Sequence, residues 1–421
     1  MKNNRRSFLK TTTALAATLP LAACERQTTP TGKPPQVDYS SLDNVLSQPI
    51  LKKEYFPSPI VIETLELLRY KNNFICRVRS KDGAEGLSIG NNAQLRSLYP
   101  IFTNRLQPYF IDKDARELED LLEGVYVYQS NYKLQNLALW VPLATIEFAI
   151  LDLLGRLADK PIGQLIGEIH NPRIAVYQAN NHRGKTAEES IDRIKKQVEE
   201  TQAKALKFKV GGRMSKNADD PPGRTEKLIP LVRETFGDDM TIYADSNGSY
   251  DTGEAIRVGK IMEEYNFDFY EEPTPFDWYE ETKQVTDALS IPIAGGEQEP
   301  SLRNFRWLIG NNALDIVQPD MFYFGGMIRS MKVALMAHAV GKTCVPHISG
   351  SGLGYLYMMH FVSAIPNAGP YHEFKGFNKN IPLECATSSL SSEDGVVTVP
   401  NGPGLGVEID PGFVGKHVPS T

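Results

Sequence analysis

Asp245-Ser246-Asn247, Glu271-Glu272-Pro273 and Gly295-Gly296-Glu297 decide how this chain is read. Each closes a short apolar run: Thr241-Ile242-Tyr243-Ala244, then Phe267-Asp268-Phe269-Tyr270, then Ile291-Pro292-Ile293-Ala294. The steps from Asp245 to Glu271 and from Glu271 to Glu297 are both 26 residues, one strand-helix unit each. The series starts earlier, with Ala205-Leu206-Lys207-Phe208-Lys209-Val210. It continues through Asp315-Ile316-Val317-Gln318-Pro319-Asp320 and Thr343-Cys344-Val345-Pro346-His347. Charged groups at the carboxyl end of strand after strand are the catalytic arrangement of a parallel βα barrel.

Outward from this stretch, strand and helix alternate over residues 173–375. Eight strands are predicted, starting near Ile174, Ala205, Thr241, Phe267, Ile291, Leu314, Thr343 and Pro370. Helices over 188–202, 253–265 and 327–340 fill the clearest gaps, which implies right-handed crossovers and a sheet that can close. Residues 59–172 read as a separate α+β unit: strand-like runs at 60–67 and 74–79, a turn at 81–86, then helices, with the plainest apolar face over 142–157. The fold class is therefore α/β, a modified (β/α)8-type barrel with an N-terminal α+β domain. Residues 211–223 form an extra loop at the barrel mouth. The turn-rich residues 376–421 are expected to pack back on the first domain.

The first 24 residues read as an address. Arg5-Arg6-Ser7-Phe8-Leu9-Lys10 has the form of a twin-arginine export signal, and Leu21-Ala22-Ala23-Cys24 that of a lipoprotein processing site. The expected location is periplasmic, with a lipid anchor through Cys24. Residues 25–58 read as a tether and a weakly structured lead-in. A net charge of −6, with no basic run beyond the N-terminus, argues against nucleic acid as a partner. Four cysteines are too few for a disulfide scaffold, and Cys76 and Cys344 lie in apolar runs that suit buried thiols.

Any one of the strand-end acids would pass for a solvated loop residue. As an evenly spaced set, Asp245, Glu271 and Glu297 can converge, and three clustered carboxylates need a cation between them. Hard oxygen ligands select Mg²⁺. Glu272 and Glu299 are read as neighbours outside that set. Lys207 and Lys209 point to the same side of their strand, about 6.6 Å apart along the backbone. Their mutual repulsion is expected to lower the pKa of one and release a neutral amine as a base. Asp320 and His347 end neighbouring strands, so the aspartate can orient the imidazole. Two bases flanking a carboxylate on Mg²⁺ describe abstraction of the proton α to that carboxylate. Asn180, Asn181, His182 and Arg183 after the first barrel strand, with Asn247, are candidates for contacting substrate hydroxyls.

In combination these motifs resemble the enolase superfamily, mandelate racemase subgroup of the mandelate racemase/muconate lactonizing enzyme family, from about Pro59 onward. The family's Lys-x-Lys motif matches Lys207-Phe208-Lys209, with Lys209 as base. Its metal ligands match Asp245, Glu271 and Glu297, and its Asp-His dyad matches Asp320 and His347. The resemblance also implies that Glu373, in Tyr371-His372-Glu373-Phe374, contacts the substrate carboxylate. It further implies a domain capping the barrel mouth and assembly into homo-oligomers. The short turn at 70–73 and the export signal depart from the usual pattern and bear on the substrate. The expected activity is dehydration of an acid sugar to a 2-keto-3-deoxy acid. Racemisation, epimerisation or cycloisomerisation of a hydroxy or sugar acid is the alternative, and a non-catalytic sugar-acid-binding lipoprotein is a distant one.

Overall fold

The computed structural model of the protein describes residues 37–350, 352–375, 380–381 and 390–420. The export signal, Cys24, the tether up to residue 36 and Cys385 lie outside the described residues.

The capping domain is built on β1 (Ile62–Tyr70), β2 (Asn73–Ser80) and β3 (Glu85–Ile89), an antiparallel meander joined by tight turns. Alternating burial along β1 and β2 puts Leu65, Leu67, Cys76 and Val78 into the core. The helix Leu137–Ala158 lies across β2 and β3; it is capped by Asn136 and ended by Asp159 in the left-handed region. It is long and apolar enough to cross a membrane, but most of it is buried inside the protein. At Gly86 a Cβ would stand 2.2 Å from the Ala149 carbonyl oxygen, so glycine is what lets strand and helix approach. Two buried carboxylates of this helix reach other parts of the chain. Glu147 accepts from the N–H groups of Met327 and Ile328 at the start of the helix Met327–Ala339 (2.5 and 3.1 Å), and Asp152 accepts from Leu87 and Leu405 (2.9 and 2.8 Å).

The barrel strands are β4 (Arg173–Ala179), β5 (Ala205–Lys209), β6 (Thr241–Asp245), β7 (Phe269–Glu271), β8 (Ile293–Gly295), β9 (Ile316–Val317), β10 (Thr343–Cys344) and β11 (His372–Phe374). They pair in parallel in that order, and β11 returns to β4 with Glu373 opposite Tyr177. Cys344 bridges Ala368 to close the remaining gap. Alternation along β5 sends Leu206 and Phe208 into the large core beneath the helices. Ala205 joins Tyr177, Tyr243, Phe269, Ala294 and Val345 in a second, smaller core that fills the barrel. Tyr243 and Phe269 stack there at 3.8 Å, forming an aromatic floor below the lysines.

Two expectations change. The lead-in is ordered from residue 38 on: helix Ser40–Ser47 packs on the barrel helix Met327–Ala339, and Asp43 holds Arg306 through two 2.6 Å contacts. Its buried anchors, Leu42, Ile50, Leu51 and Phe56, are too sparse to give a periodic signal in sequence. The C-terminal stretch also divides between the two parts of the fold. A hairpin of β13 (Leu390–Glu393) and β14 (Val396–Thr398), with β12 (Asn380–Ile381) at its edge, pairs antiparallel with the start of β4. The later residues do pack on the cap: Leu405 and Glu408 reach Asp152 and Arg156 of its long helix, His417 meets Asn73, and β15 (Val418–Pro419) joins β1. Cys76 and Cys344 are buried free thiols.

Candidate active site

Parallel register aligns the strand ends that carry charge. Lys209 stands opposite Asp245, Asp245 opposite Glu271, and an isolated bridge pairs Asp320 with His347. The ligand oxygens of Asp245, Glu271 and Glu297 lie within 4.8 Å of one another, and all three residues are buried. Glu271 also accepts from both Lys207 Nζ (2.7 and 2.8 Å) and Gln318 Nε2 (2.8 Å). Burial, and then the neighbouring carboxylates of Asp245 and Glu297, push the Glu271 carboxyl up to about 7 against the pull of Lys207. Burial acts the same way on Asp245, but Lys209 and Lys207 outweigh it and hold that carboxyl low. A buried all-oxygen cluster whose members raise one another's pKa is suited to a hard dication.

Lys207 is sealed in: it lies 5.2 Å above the Tyr177 ring, and its ammonium is 3.7 Å from Glu373 Oε1. Burial disfavours its charge, yet Glu271, Tyr177 and Glu373 more than offset this, and its pKa stands well above that of an ordinary lysine. The expectation that repulsion between the lysines frees an amine therefore fails at Lys207, because each lysine faces its own carboxylate. Lys209 Nζ contacts Asp245 Oδ2.

On the far side, His347 Nδ1 meets Asp320 Oδ2 at 2.7 Å, which leaves Nε2 to face the interior, 3.4 Å from Glu297 and 3.7 Å from Glu373. The second Asp320 oxygen is taken by the N–H groups of Phe322 and Tyr323 and by Ser349 Oγ (2.8, 2.7 and 3.0 Å). Ser349 in turn receives Asn91 Nδ2 of the cap at 3.1 Å. Burial disfavours the His347 cation, but Glu297, Glu373 and Asp320 prevail over Lys375 and raise its pKa. For Glu373, burial is outweighed by Lys375, His347 and Lys207, which keep it ionised.

Most of the remaining candidates have partners within the protein. Asn180 turns to the helix Ala187–Thr201, donating to Gln197 (2.6 Å), and His182 meets Arg193 of the same helix at 3.0 Å. Asn181 is exposed. The turn after β4 thus spends its polar groups on tying down the next helix. Arg183 anchors the loop after β5 through the carbonyls of Gly211 and Val210 (2.9 and 3.1 Å). Asn247, left-handed at φ 45°, braces the metal cluster, binding Asp245 through its N–H (2.7 Å) and side chain (3.2 Å) and reaching Glu272 (3.3 Å). Glu299 is taken up by Tyr279, Ser301 and Asn304. Sequence reasoning missed Gln318, Ser349, Asn91 and Lys375. Of these only Gln318 carried a signal, since it lies two residues before Asp320 on the strand-end segment.

The fold and this constellation of acids and bases define a barrel enzyme of the α-proton-abstracting type. Residues 52–167 match the mandelate racemase/muconate lactonizing enzyme N-terminal domain, and residues 189–413 match the enolase C-terminal domain-like family. The chain therefore belongs to the mandelate racemase/muconate lactonizing enzyme family of the enolase superfamily. It is similar to arabinonate dehydratase of Saccharolobus solfataricus (26% identity over 312 residues, 74% of this chain and 81% of that protein). It is also similar to D-galactarolactone cycloisomerase of Agrobacterium fabrum (27% over 315 residues, 72% and 80%). A crystal structure of a mandelate racemase/muconate lactonizing protein from Paracoccus denitrificans, complexed with magnesium, superposes with a TM-score of 0.77 at 25% identity, covering 86% of this chain and 99% of that one. The protein is a Mg²⁺-dependent enzyme of this superfamily.

Proposed function

We propose that the enzyme dehydrates an acid sugar to a 2-keto-3-deoxy acid. The observation that carries this reading is the placement of Lys209 and His347. Four strands separate β5 from β10 in one direction around the barrel and two in the other, with the carboxylate cluster between them. Asp245, Glu271 and Glu297 would hold Mg²⁺, which supplies positive charge to the substrate carboxylate and makes its α-proton acidic. Lys207 adds a fixed ammonium beside that carboxylate. Lys209 takes the proton from C2, and the bonding electrons pass to the carboxylate. His347, oriented by Asp320, gives its Nε2 proton to the C3 hydroxyl as the C3–O bond breaks. Water leaves, and the enol takes up a proton at C3 to become the keto acid. The names of the similar proteins, a sugar-acid dehydratase and a sugar-lactone cycloisomerase, support a carbohydrate acid as substrate.

A second reading, cycloisomerisation or epimerisation, uses the same proton abstraction without loss of water and is supported by the cycloisomerase relative. An NMR screen of acid sugars with Mg²⁺ in D₂O separates the two. A 2-keto-3-deoxy product establishes the dehydratase, while deuterium at C2 with an epimer or ring-opened acid, and no keto acid, establishes the isomerase.

The chain is further proposed to be exported by the twin-arginine route and anchored through Cys24, on the strength of Arg5-Arg6 and Leu21-Ala22-Ala23-Cys24. Loss of membrane association in Cys24→Ser tests the anchor. Assembly into a homo-oligomer is tested by light scattering of the purified enzyme.

A further inference from the structure

Lys375 is a cation in the active site that none of the family motifs above assigns. It follows β11, is partly exposed, and lies 3.0 Å from Glu373 Oε2 while donating to the Ile348 carbonyl at 2.8 Å. That carbonyl belongs to the residue after His347, so the ammonium sits on the acid–base side of the chamber. Ile348 takes one of the three N–H groups of the lysine and the 3.0 Å ion pair with Glu373 takes a second at most, so a third remains. Glu373 Oε2 is buried and faces only Lys375 and, at 3.7 Å, His347 Nε2 among the described residues, and a carboxylate offers about four lone-pair sites. Lys375 thus has donor capacity to spare and Glu373 has acceptor capacity to spare, with the two atoms about as far apart as oxygens on adjacent carbons.

We propose that Lys375 and Glu373 Oε2 together bind a pair of neighbouring hydroxyls that extends beyond C3 of the substrate chain, while Glu373 Oε1 stays on the carboxylate side beside Lys207, which makes Lys375 a specificity-determining residue for polyhydroxy acids. The inference rests on the sugar-acid reading above. A hydroxyl can donate to the carboxylate and accept from the ammonium, so a diol satisfies both groups without adding charge. A short 2-hydroxy acid leaves the pair unused, so it neither gains from Lys375 nor loses when Lys375 is replaced.

The test is calorimetric binding, in the presence of Mg²⁺, of four- to six-carbon aldonates and of glycerate, which has no carbon beyond C3. Wild-type enzyme, Lys375→Met and Lys375→Arg are compared. The best aldonate is expected to lose about ten-fold or more in affinity in Lys375→Met, the range for one hydrogen bond to a charged group. Glycerate binding stays unchanged and Lys375→Arg recovers most of the loss. Retained Mg²⁺ affinity shows that the variants are folded. An equal loss for glycerate and aldonate, or no loss for either, overturns the assignment while leaving the sugar-acid reading intact. If no aldonate binds the wild type, the sugar-acid reading fails and the inference with it.

Discussion

Asp320 Oδ2 meets His347 Nδ1 at 2.7 Å, and the other oxygen of Asp320 is saturated by two backbone N–H groups and Ser349. The aspartate therefore has a single free direction, and that direction fixes which imidazole nitrogen faces the chamber. Asp320→Asn would present an amide N–H or a weaker acceptor to Nδ1 and disturb the tautomer. Turnover is expected to fall by roughly 10²–10⁴-fold, with Mg²⁺ affinity kept within a few-fold. Turnover close to that of the wild type would refute the orienting role.

Lys209→Ala and His347→Asn separate the two faces of the reaction. Each is expected to bind Mg²⁺ normally and to lose about 10²–10⁴-fold in kcat. Lys209→Ala also loses C2 proton exchange in D₂O, while His347→Asn keeps exchange but releases little keto acid. Exchange rates measured by NMR decide this, and unimpaired turnover in both variants would remove the mechanism.

Three buried carboxylates around one point make the fold sensitive to the cation. Saturating Mg²⁺ is expected to raise the thermal midpoint, since ligand at about a hundred times its Kd stabilises by about 2.7 kcal/mol. Glu271→Gln is expected to abolish that rise and most of the activity. An equal response to Mg²⁺ in the variant would place the metal elsewhere.

Away from the chamber, burial pushes the Glu147 carboxyl up to about 8, against the Ile328 and Met327 N–H groups and Arg329. The unfolded chain releases this proton near pH 4.5, so between that pH and about 8 only the folded state holds it. Stability must then fall as pH rises through this window, by roughly 1.4 kcal/mol per pH unit for this group, and level off above it. Denaturant titrations of wild type and Glu147→Gln across about pH 5–9 check this. The variant is expected to be weaker overall but to lack that part of the slope.

Much of the site was legible because its groups sit at strand ends, where parallel pairing converts even spacing in sequence into neighbours in space. Asp245, Glu271 and Glu297 come together for that reason, as do Asp320 and His347. Asn180 and His182 also follow a strand end, but the helix after them offered Gln197 and Arg193 as partners, which sequence could not weigh against a substrate. Lys375 lay beyond the last strand with no motif around it. The link from Asn91 through Ser349 to Asp320 joins residues far apart in the chain and has no periodic signature. Helix Ser40–Ser47 was missed because it is only eight residues long and is held by docking on a barrel helix and by Arg306.

The outer strand of the cap sheet gives the chain a fixed order of completion. Leu68 pairs with Pro419, so the first strand synthesised is sealed by a strand made after the entire barrel. During translation the cap waits with one edge of β1 unpaired, exposed to other extended chains. The barrel has no such dependence on the last residues. A nascent chain halted before residue 418 would therefore hold a finished catalytic floor under an unsealed roof, and extensions appended near that strand would act first on the cap.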